Sequence, residues 1–277
     1  MGNAYFNATR LLAGFGCLLF VLLAMMSGGC ASSNTQSQTG ASGVDLTTES
    51  DEPEARKRAR LRTELAAGYF EQGQTSVALD EIKQALLSDP NYAPALSLRG
   101  LAYMRIAEPK LAEESFRRAL QINPRDADVA HNFGWMLCQQ GRNSEAIGLF
   151  AQALSNPSYA GRSRTLLAQG VCRAKAGQLP EAELDLTRSF ELDAGNPVTA
   201  FSLAQVLFRR DDLVKAQFYL RRLNNGEMAN AETLWLGIKV ENKLGNRVAV
   251  QQLADQLKRR FPKSKEFGFY ERGALNE

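Results

Sequence analysis

Histidine is almost missing from this sequence, because His131 is the only one among 277 residues. A metal site built from several histidines is therefore excluded, and a Ser-His-Asp or Cys-His catalytic arrangement would have to use that one residue. Four cysteines are too few for a disulfide-dense scaffold. The net charge of only +3 gives no general electrostatic argument for nucleic-acid binding. The sequence also contains no GxxxxGK[ST], HExxH or GxSxG motif.

The first 29 residues have the features of a secretory signal peptide. Arg10 is followed by an uncharged, mostly apolar stretch, residues 11–26, which is shorter than the ~20 residues needed to cross a bilayer. Small residues then lead into Cys30, an arrangement that resembles a bacterial lipoprotein lipobox, although Ser27 stands where Leu is usual. We predict that Cys30 is acylated and becomes the N-terminus. The alternatives are an ordinary signal peptide cut nearby and an uncleaved anchor.

Residues 30–55 are predicted to form a lipidated N-terminus and a flexible linker. The stretch 31–53 is rich in Ser, Thr, Gly and Gln, with only Val44 and Leu46 as larger aliphatic residues, so it cannot build a core. A random coil of that length reaches roughly 26 Å. Ala31, rather than Asp, follows the cysteine. By resemblance to sorted lipoproteins, this favours the outer membrane, with the chain facing the periplasm.

A pair of small residues repeats along the rest of the chain. A Gly or Ala is followed twelve positions later by Ala, and the pair recurs at intervals of 34, 34, 36, 34 and 33 residues. The six pairs are Ala66 and Ala78, Gly100 and Ala112, Gly134 and Ala146, Gly170 and Ala182, Ala204 and Ala216, and Gly237 and Ala249. Apolar residues at helical spacing surround each pair. The pattern therefore predicts two helices in each unit, and the backbones of these helices should approach closely at the small residues.

These units resemble tetratricopeptide repeats. The resemblance implies an all-α fold, a right-handed α-solenoid of six helix-turn-helix units over residues 56–263. Gly73, Gly141 and Gly177 fall between the two helices of their units, where a helix exit favours glycine. One unit cannot bury its own apolar face, so its stability has to come from stacking on its neighbours.

Two segments flank the repeats. Residues 56–62 contain five cations, which we interpret as the solvated start of the first helix, with weak attraction to anionic lipid as the alternative. The tail, 264–277, contains Phe267, Phe269 and Tyr270. We expect it to cap the apolar face of the last unit; a strand that binds a partner is the alternative.

The sequence offers no catalytic constellation. His131 lies on the first helix of the third unit, where the repeat position faces the inner curve, and a polar groove residue is the favoured interpretation over a catalytic base. We therefore predict that the protein is not an enzyme. We also predict that it has no metal site, no cofactor, no small-molecule substrate and no nucleic-acid partner.

Two cysteines fall within the repeats, Cys138 in unit three and Cys172 in unit four. Both are on first helices, which should be neighbours, and an oxidising periplasm would permit a disulfide between them. Two small buried thiols are the alternative.

The inner curve of the solenoid is the predicted binding surface. By resemblance, positions 5, 9 and 12 of each first helix line it. The large apolar residues at these positions include Phe70, Leu101, Met104, Trp135, Phe201 and Phe208. We predict that Phe70, Leu101, Met104 and Trp135 contribute to a groove for an amphipathic helix or an extended peptide. The alternative is that they pack between neighbouring repeats.

Longer segments of the sequence resemble a particular family of repeat proteins. FGWMLCQQGR, ALSNPSY, and LWLGIKV followed by LKRRFP look like the type IV pilus biogenesis and stability lipoproteins, the PilW/PilF family of pilotins. This resemblance covers nearly the whole chain after the signal peptide. It implies a non-catalytic lipoprotein that binds the secretin of the type IV pilus and promotes its outer-membrane localisation and multimerisation. The alternatives are another periplasmic repeat scaffold, for cell-wall enzymes or outer-membrane protein assembly, and an enzyme accessory or peptidase.

Overall fold

The computed structural model describes residues 51–275, and this part of the chain is all-α, with thirteen helices and no strand. The helices are α1 Glu54–Glu71, α2 Thr75–Ser88, α3 Ala93–Arg105, α4 Pro109–Ile122, α5 Ala127–Gln139, α6 Asn143–Leu154, α7 Arg162–Lys175, α8 Leu179–Leu192, α9 Pro197–Arg209, α10 Leu213–Asn224, α11 Ala231–Lys243, α12 Arg247–Arg260 and α13 Lys265–Glu271. The predicted all-α solenoid is confirmed. Cys30, the signal peptide and the linker up to residue 50 lie outside the described residues.

Small residues let the two helices of a unit approach closely. A methyl group added at Gly100 would lie 2.6 Å from the ring of Phe116. Gly134 stands in the same relation to Phe150, and Gly170 to Leu186. These large side chains are fully buried and come sixteen residues after their glycines. The repeated small residue is therefore the place where the second helix inserts its largest side chain.

A methyl group at this contact is expected to destabilise the stack. We expect Gly100→Ala to lower the free energy of unfolding by about 1–3 kcal/mol, because Phe116 would have to move within a filled core. The matched control is Gly148→Ala, since Gly148 lies in a helix with nothing within 4 Å of the added methyl. That change should raise stability by about 0.5–1 kcal/mol through helix propensity. Chemical unfolding followed by circular dichroism distinguishes the two; equal effects would rule out a close-approach role for Gly100.

The units stack through their first helices. Each of α1, α3, α5, α7 and α9 contacts the first helix of the next unit, and each second helix packs between its own first helix and the next one. The apolar side chains consequently form long clusters rather than separate cores. One cluster runs from Leu96 to Cys172, and another from Ala182 to Val240.

The turns inside the units share one backbone conformation, although their residues differ. Gly73, Gly141 and Gly177 have φ of 78°, 77° and 81°, as their sequence positions predict. In the second and fifth units the same place is held by Ala107 at φ 58° and Asp211 at φ 60°. A non-glycine residue there costs of order 1–3 kcal/mol, so packing of the flanking helices fixes these turns.

Both ends of the stack are closed by local contacts. At the start, cations of the basic run form ion pairs, Arg56 with Asp89 at 3.0 Å and Arg62 with Glu81 at 2.7 Å. At the other end, α13 packs on α11 and α12, where Phe267 and Tyr270 contact the buried cluster that contains Leu234 and Leu257. Within residues 51–275, no helix is both long and apolar enough to span a bilayer.

Candidate protein-binding groove

The four predicted groove residues are half-buried. Leu101, Met104 and Trp135 pack against the cluster around Phe116, and Phe70 packs against the smaller cluster of the first unit. Each side chain thus contributes to contacts between repeats while keeping part of its surface exposed. An aspartate at any of these positions would place a charge against the core, so binding at this surface has to be tested with smaller apolar substitutions.

Cations from the following unit lie over aromatic rings of this surface. The guanidinium of Arg105 lies 3.4 Å from the centre of the Phe70 ring and also donates to the Phe70 carbonyl. The ammonium of Lys175 lies 5.8 Å from the Trp135 ring. Such cation–π contacts orient the rings and place positive charge along the first helices.

A largely apolar recess lies further along the first helices, in units four to six. It is a cavity of about 410 Å³ between α7, α8, α9 and α11. Its apolar lining includes Val171, Leu186, Val206, Phe208 and Leu236. Its charged lining consists of Lys175, Arg209 and Lys239, and no Asp or Glu lines it. We call this cavity the cationic groove.

A second recess of about 290 Å³ continues from the cationic groove to the last helix. The two share Gln205, Leu236 and Lys239. Trp235 and Phe269 line the continuation, with ring centres 6.1 Å apart. Helix α13, expected from sequence only to cap the stack, therefore also forms one wall of this surface.

Two carboxylates near the groove pair with cations that do not line the cavity. Asp185 is almost fully buried beside Leu186 and pairs with Arg173 across 3.3 Å. Burial raises the pKa of the Asp185 carboxyl above its ordinary value, and the nearby guanidinium of Arg173 opposes this rise. Asp211 accepts from Lys243 at 3.0 Å.

His131 is not a groove residue, and this corrects the interpretation drawn from its repeat position. Its side chain is buried, with Nδ1 2.9 Å from the hydroxyl of Thr165 and its ring 5.9 Å from that of Phe150. Burial, together with the nearby charge of Arg164, lowers the pKa of His131 from 6.5 to about 4, and the carboxylate of Asp128 opposes this fall. The imidazole is thus a neutral packing group between units three and four.

Cys138 and Cys172 form a disulfide in the structure, with Cα atoms 5.7 Å apart. The bond joins α5 to α7, the first helices of units three and four. Both sulfurs are buried in the largest apolar cluster. Cys138 therefore does not line the surface that its repeat position suggested.

Sequence reasoning did not identify the cations of the groove, Lys175, Arg209 and Lys239. A usable signal was present for Arg209, because it directly follows the expected groove residue Phe208 on the same first helix. Arg209 and Arg105 moreover act alike: each donates to the carbonyl of the residue 35 positions earlier, Ala174 and Phe70 respectively. Within the described part of the chain, no group of three or more His, Cys, Asp or Glu side chains is arranged to hold a metal ion.

This part of the chain consists of stacked helix pairs, in which small residues let the two helices approach closely and the first helices carry a groove. These features define a tetratricopeptide repeat protein, a class suited to protein–protein contact. The tetratricopeptide repeat family model matches residues 63–127. The type IV pilus assembly protein PilF of Pseudomonas aeruginosa is 30% identical over 249 residues, which cover 90% of this chain and 95% of that protein. The chain belongs to the PilF/PilW family of type IV pilus biogenesis proteins.

Two solved structures share this architecture. PilW, described as a widely conserved type IV pilus biogenesis factor, is 33% identical with a TM-score of 0.71, and the match covers 76% of this chain and 97% of that one. The structure of Pseudomonas aeruginosa PilF is 28% identical with a TM-score of 0.72, covering 80% of this chain and 100% of that one.

Proposed function

We propose that this protein is a non-catalytic outer-membrane lipoprotein that binds the type IV pilus secretin and promotes its localisation and multimerisation. The observation that carries the proposal is the similarity to PilF, which extends over 95% of that protein rather than over a few generic repeats. The fold supports it, because the described residues present a continuous surface of first helices suited to a peptide. Acylated Cys30 would supply the anchor.

In this proposal, the N-terminal cysteine anchors the protein and the first repeats bind the secretin. Several acyl chains on Cys30 would hold the protein at the membrane, since each buried methylene contributes ~0.8 kcal/mol. The linker would let the solenoid reach a secretin segment away from that membrane. We place the secretin contact on the first units, at Phe70, Leu101 and Met104, whose exposed parts lie on consecutive first helices. No bond is made or broken by the protein; it acts by binding and escort.

A complementation experiment tests this function. In a strain that lacks the gene, we expect the wild-type chain to restore multimeric secretin in the outer-membrane fraction, whereas Cys30→Ser leaves the protein in the soluble periplasm and secretin at the level of the deletion strain. Phe70→Ala combined with Met104→Ala should remain membrane-bound yet fail to co-purify with secretin. Leu87→Ala combined with Leu111→Ala is the matched control, because these exposed side chains lie on second helices.

The outcomes separate the proposal from its rivals. Normal secretin multimers in the deletion strain would overturn the secretin function. Mass spectrometry of co-purifying proteins would then show whether cell-wall enzymes or outer-membrane assembly factors are the partners. Membrane retention of Cys30→Ser would instead favour an uncleaved N-terminal anchor.

A further inference from the structure

We propose that a cleft between the second helices of units five and six binds a neutral, hydroxyl-rich ligand, namely a sugar unit. The cleft lies between α10, α11 and α12, and its volume of about 430 Å³ is within the size range of ligand sites. It shares no lining residue with the cationic groove. We call it the amide cleft, because its lining includes the side-chain amides of Gln217, Asn224, Asn225, Gln252 and Gln256.

Asn224 departs from the repeat pattern. Eight residues after the repeated Ala of the second helix, the other five units carry a large apolar residue: Leu86, Leu120, Leu154, Phe190 and Leu257. Unit five carries Asn224 there, and this side chain is only 3% exposed. Its Nδ2 donates to the carbonyl of Thr233 at 3.0 Å, whereas its Oδ1 has no hydrogen-bond partner within the described residues. A buried acceptor without a partner costs free energy, which a ligand donor reaching this oxygen would recover.

The cleft opens where unit six is less completely filled than the earlier units. In units two to four, the large side chain opposite the small residue is fully buried. Its counterpart in unit six, Leu253, is only partly buried. A methyl group at Gly237 would lie 2.7 Å from Asn224 Nδ2 and 3.2 Å from Leu253, so this position has to remain without a side chain. Leu253 beside the bare backbone of Gly237 therefore forms an apolar patch, which suits the C–H face of a sugar ring.

The amides around Asn224 have their side-chain oxygens left for other donors. Gln217 Nε2 donates to Glu241 at 2.9 Å, and Gln256 Nε2 donates to the backbone carbonyl of Asn224 at 3.2 Å. A carboxylate and a carbonyl can only accept, so these bonds fix which end of each amide faces the protein. The side-chain oxygens of both glutamines, together with Oδ1 of Asn224, thus make the cleft rich in acceptors.

The charges at the cleft are paired with each other. Arg221 and Glu241 are the charged residues among the described lining, and Arg221 Nε donates to Glu241 at 3.2 Å. Glu241 is 3% exposed and also accepts from Gln217 and Asn246. A charged ligand would therefore lose hydration without gaining a counter-charge, so an uncharged ligand is favoured.

The excess of acceptors distinguishes a sugar from an extended peptide. A peptide backbone presents about as many carbonyl acceptors as N–H donors, so part of it would face the acceptors of the cleft unpaired. Every sugar hydroxyl, in contrast, carries a hydrogen that it can donate. The lining consequently favours a ligand with several hydroxyl groups on a ring.

Sugar titration followed by nuclear magnetic resonance tests the proposal directly. The isotope-labelled full chain is titrated with the neutral sugars glucose, N-acetylglucosamine and cellobiose. For at least one of them we expect saturable shifts of the side-chain amide signals of Gln217, Asn224 and Gln256. Glucuronate and protonated glucosamine, which add a charge to the same ring, should bind about ten-fold or more weakly.

Replacement of Asn224 by the residue type of the other units should remove the site. Asn224→Leu keeps a branched side chain of similar size but lacks the acceptor, so the affinity for the sugar should fall about ten-fold or more. Gln256→Leu, at a partly buried position, is a second variant and should also weaken binding. Gln84→Leu is the matched control, because Gln84 is exposed on the second helix of unit one; this change should alter affinity by less than about two-fold. Far-ultraviolet circular dichroism checks that all three variants are folded.

Several results would overturn the proposal. They are the absence of saturable binding by all three neutral sugars, equal affinity for neutral and charged sugars, and unchanged affinity in the folded Asn224→Leu and Gln256→Leu variants. Tighter binding of an uncharged Ser-Gly peptide than of any sugar would assign the cleft to a peptide backbone instead. These measurements use the purified chain without secretin, so failure of the secretin function and failure of this site are distinguishable.

Discussion

Removal of the Cys138–Cys172 disulfide is expected to lower the free energy of unfolding by about 3–4 kcal/mol. The bond closes a chain segment with a sequence separation of 34 residues, and the loop-entropy model assigns that amount to a loop of this size. The effect should be large because a solenoid is held together by nearest-neighbour contacts. Guanidinium unfolding of the double variant Cys138→Ser and Cys172→Ser, compared with the oxidised wild type, measures this loss in the free energy of unfolding.

Reduction of the wild-type chain is the natural comparison for that variant. Thiol reductant should lower the stability of the wild type and leave the variant itself unchanged; the reduced wild type should remain somewhat more stable than the variant, because the variant buries two hydroxyl groups in an apolar cluster. A difference below about 1 kcal/mol between oxidised and reduced protein would show that the bond adds little to stability. Because the cysteines are buried between units three and four, secondary structure should be retained in the reduced protein below its unfolding midpoint.

Acidification is expected to destabilise the protein through His131. Its pKa is about 4 in the folded chain, against 6.5 for the ordinary side chain, so the unfolded state binds more protons between these values. The stability that comes from the neutral imidazole is fully present above pH 6.5 and is lost as the pH falls toward 4. Between pH 7 and pH 5 the free energy of unfolding should fall by about 2 kcal/mol from this residue.

The variant His131→Asn isolates this effect. Its side-chain amide can donate to or accept from the hydroxyl of Thr165, but it does not titrate. The variant should be less stable at neutral pH because the ring no longer packs beside Phe150, yet its stability should change little between pH 7 and pH 5. Urea unfolding at several pH values measures both the free energy of unfolding at neutral pH and its change with pH. An unchanged pH slope in the variant would assign the dependence to other groups.

Much of the fold was predictable because it rests on steric contacts that a sequence displays. Even a methyl group is too large where Phe116 or Phe150 inserts, so the recurring small residues indicated the helix pairs and their number. The exits at Gly73 and Gly141 were predictable for the same reason, since positive φ favours glycine. Ala107 and Asp211 adopt this conformation without any local signal, because their flanking helices enforce it.

The details of the binding surface were harder to predict. A helical position fixes the direction of a side chain only to within about one residue, about 100° of rotation. His131 and Cys138 were accordingly placed on the inner face, whereas they are buried between units. The cationic groove depends on how α7, α9 and α11 are arranged together, and no single unit contains its lining residues.

The Cys138–Cys172 bond also determines how the solenoid responds to tension. A load applied at the two ends of such a stack passes from unit to unit through noncovalent contacts, each of which can be pulled apart. The covalent link between α5 and α7 resists this separation, so units three and four stay tethered while the outer units peel away. Under such a load, the outer units are therefore expected to detach first. The residues between the two cysteines do not add to the length of the extended chain.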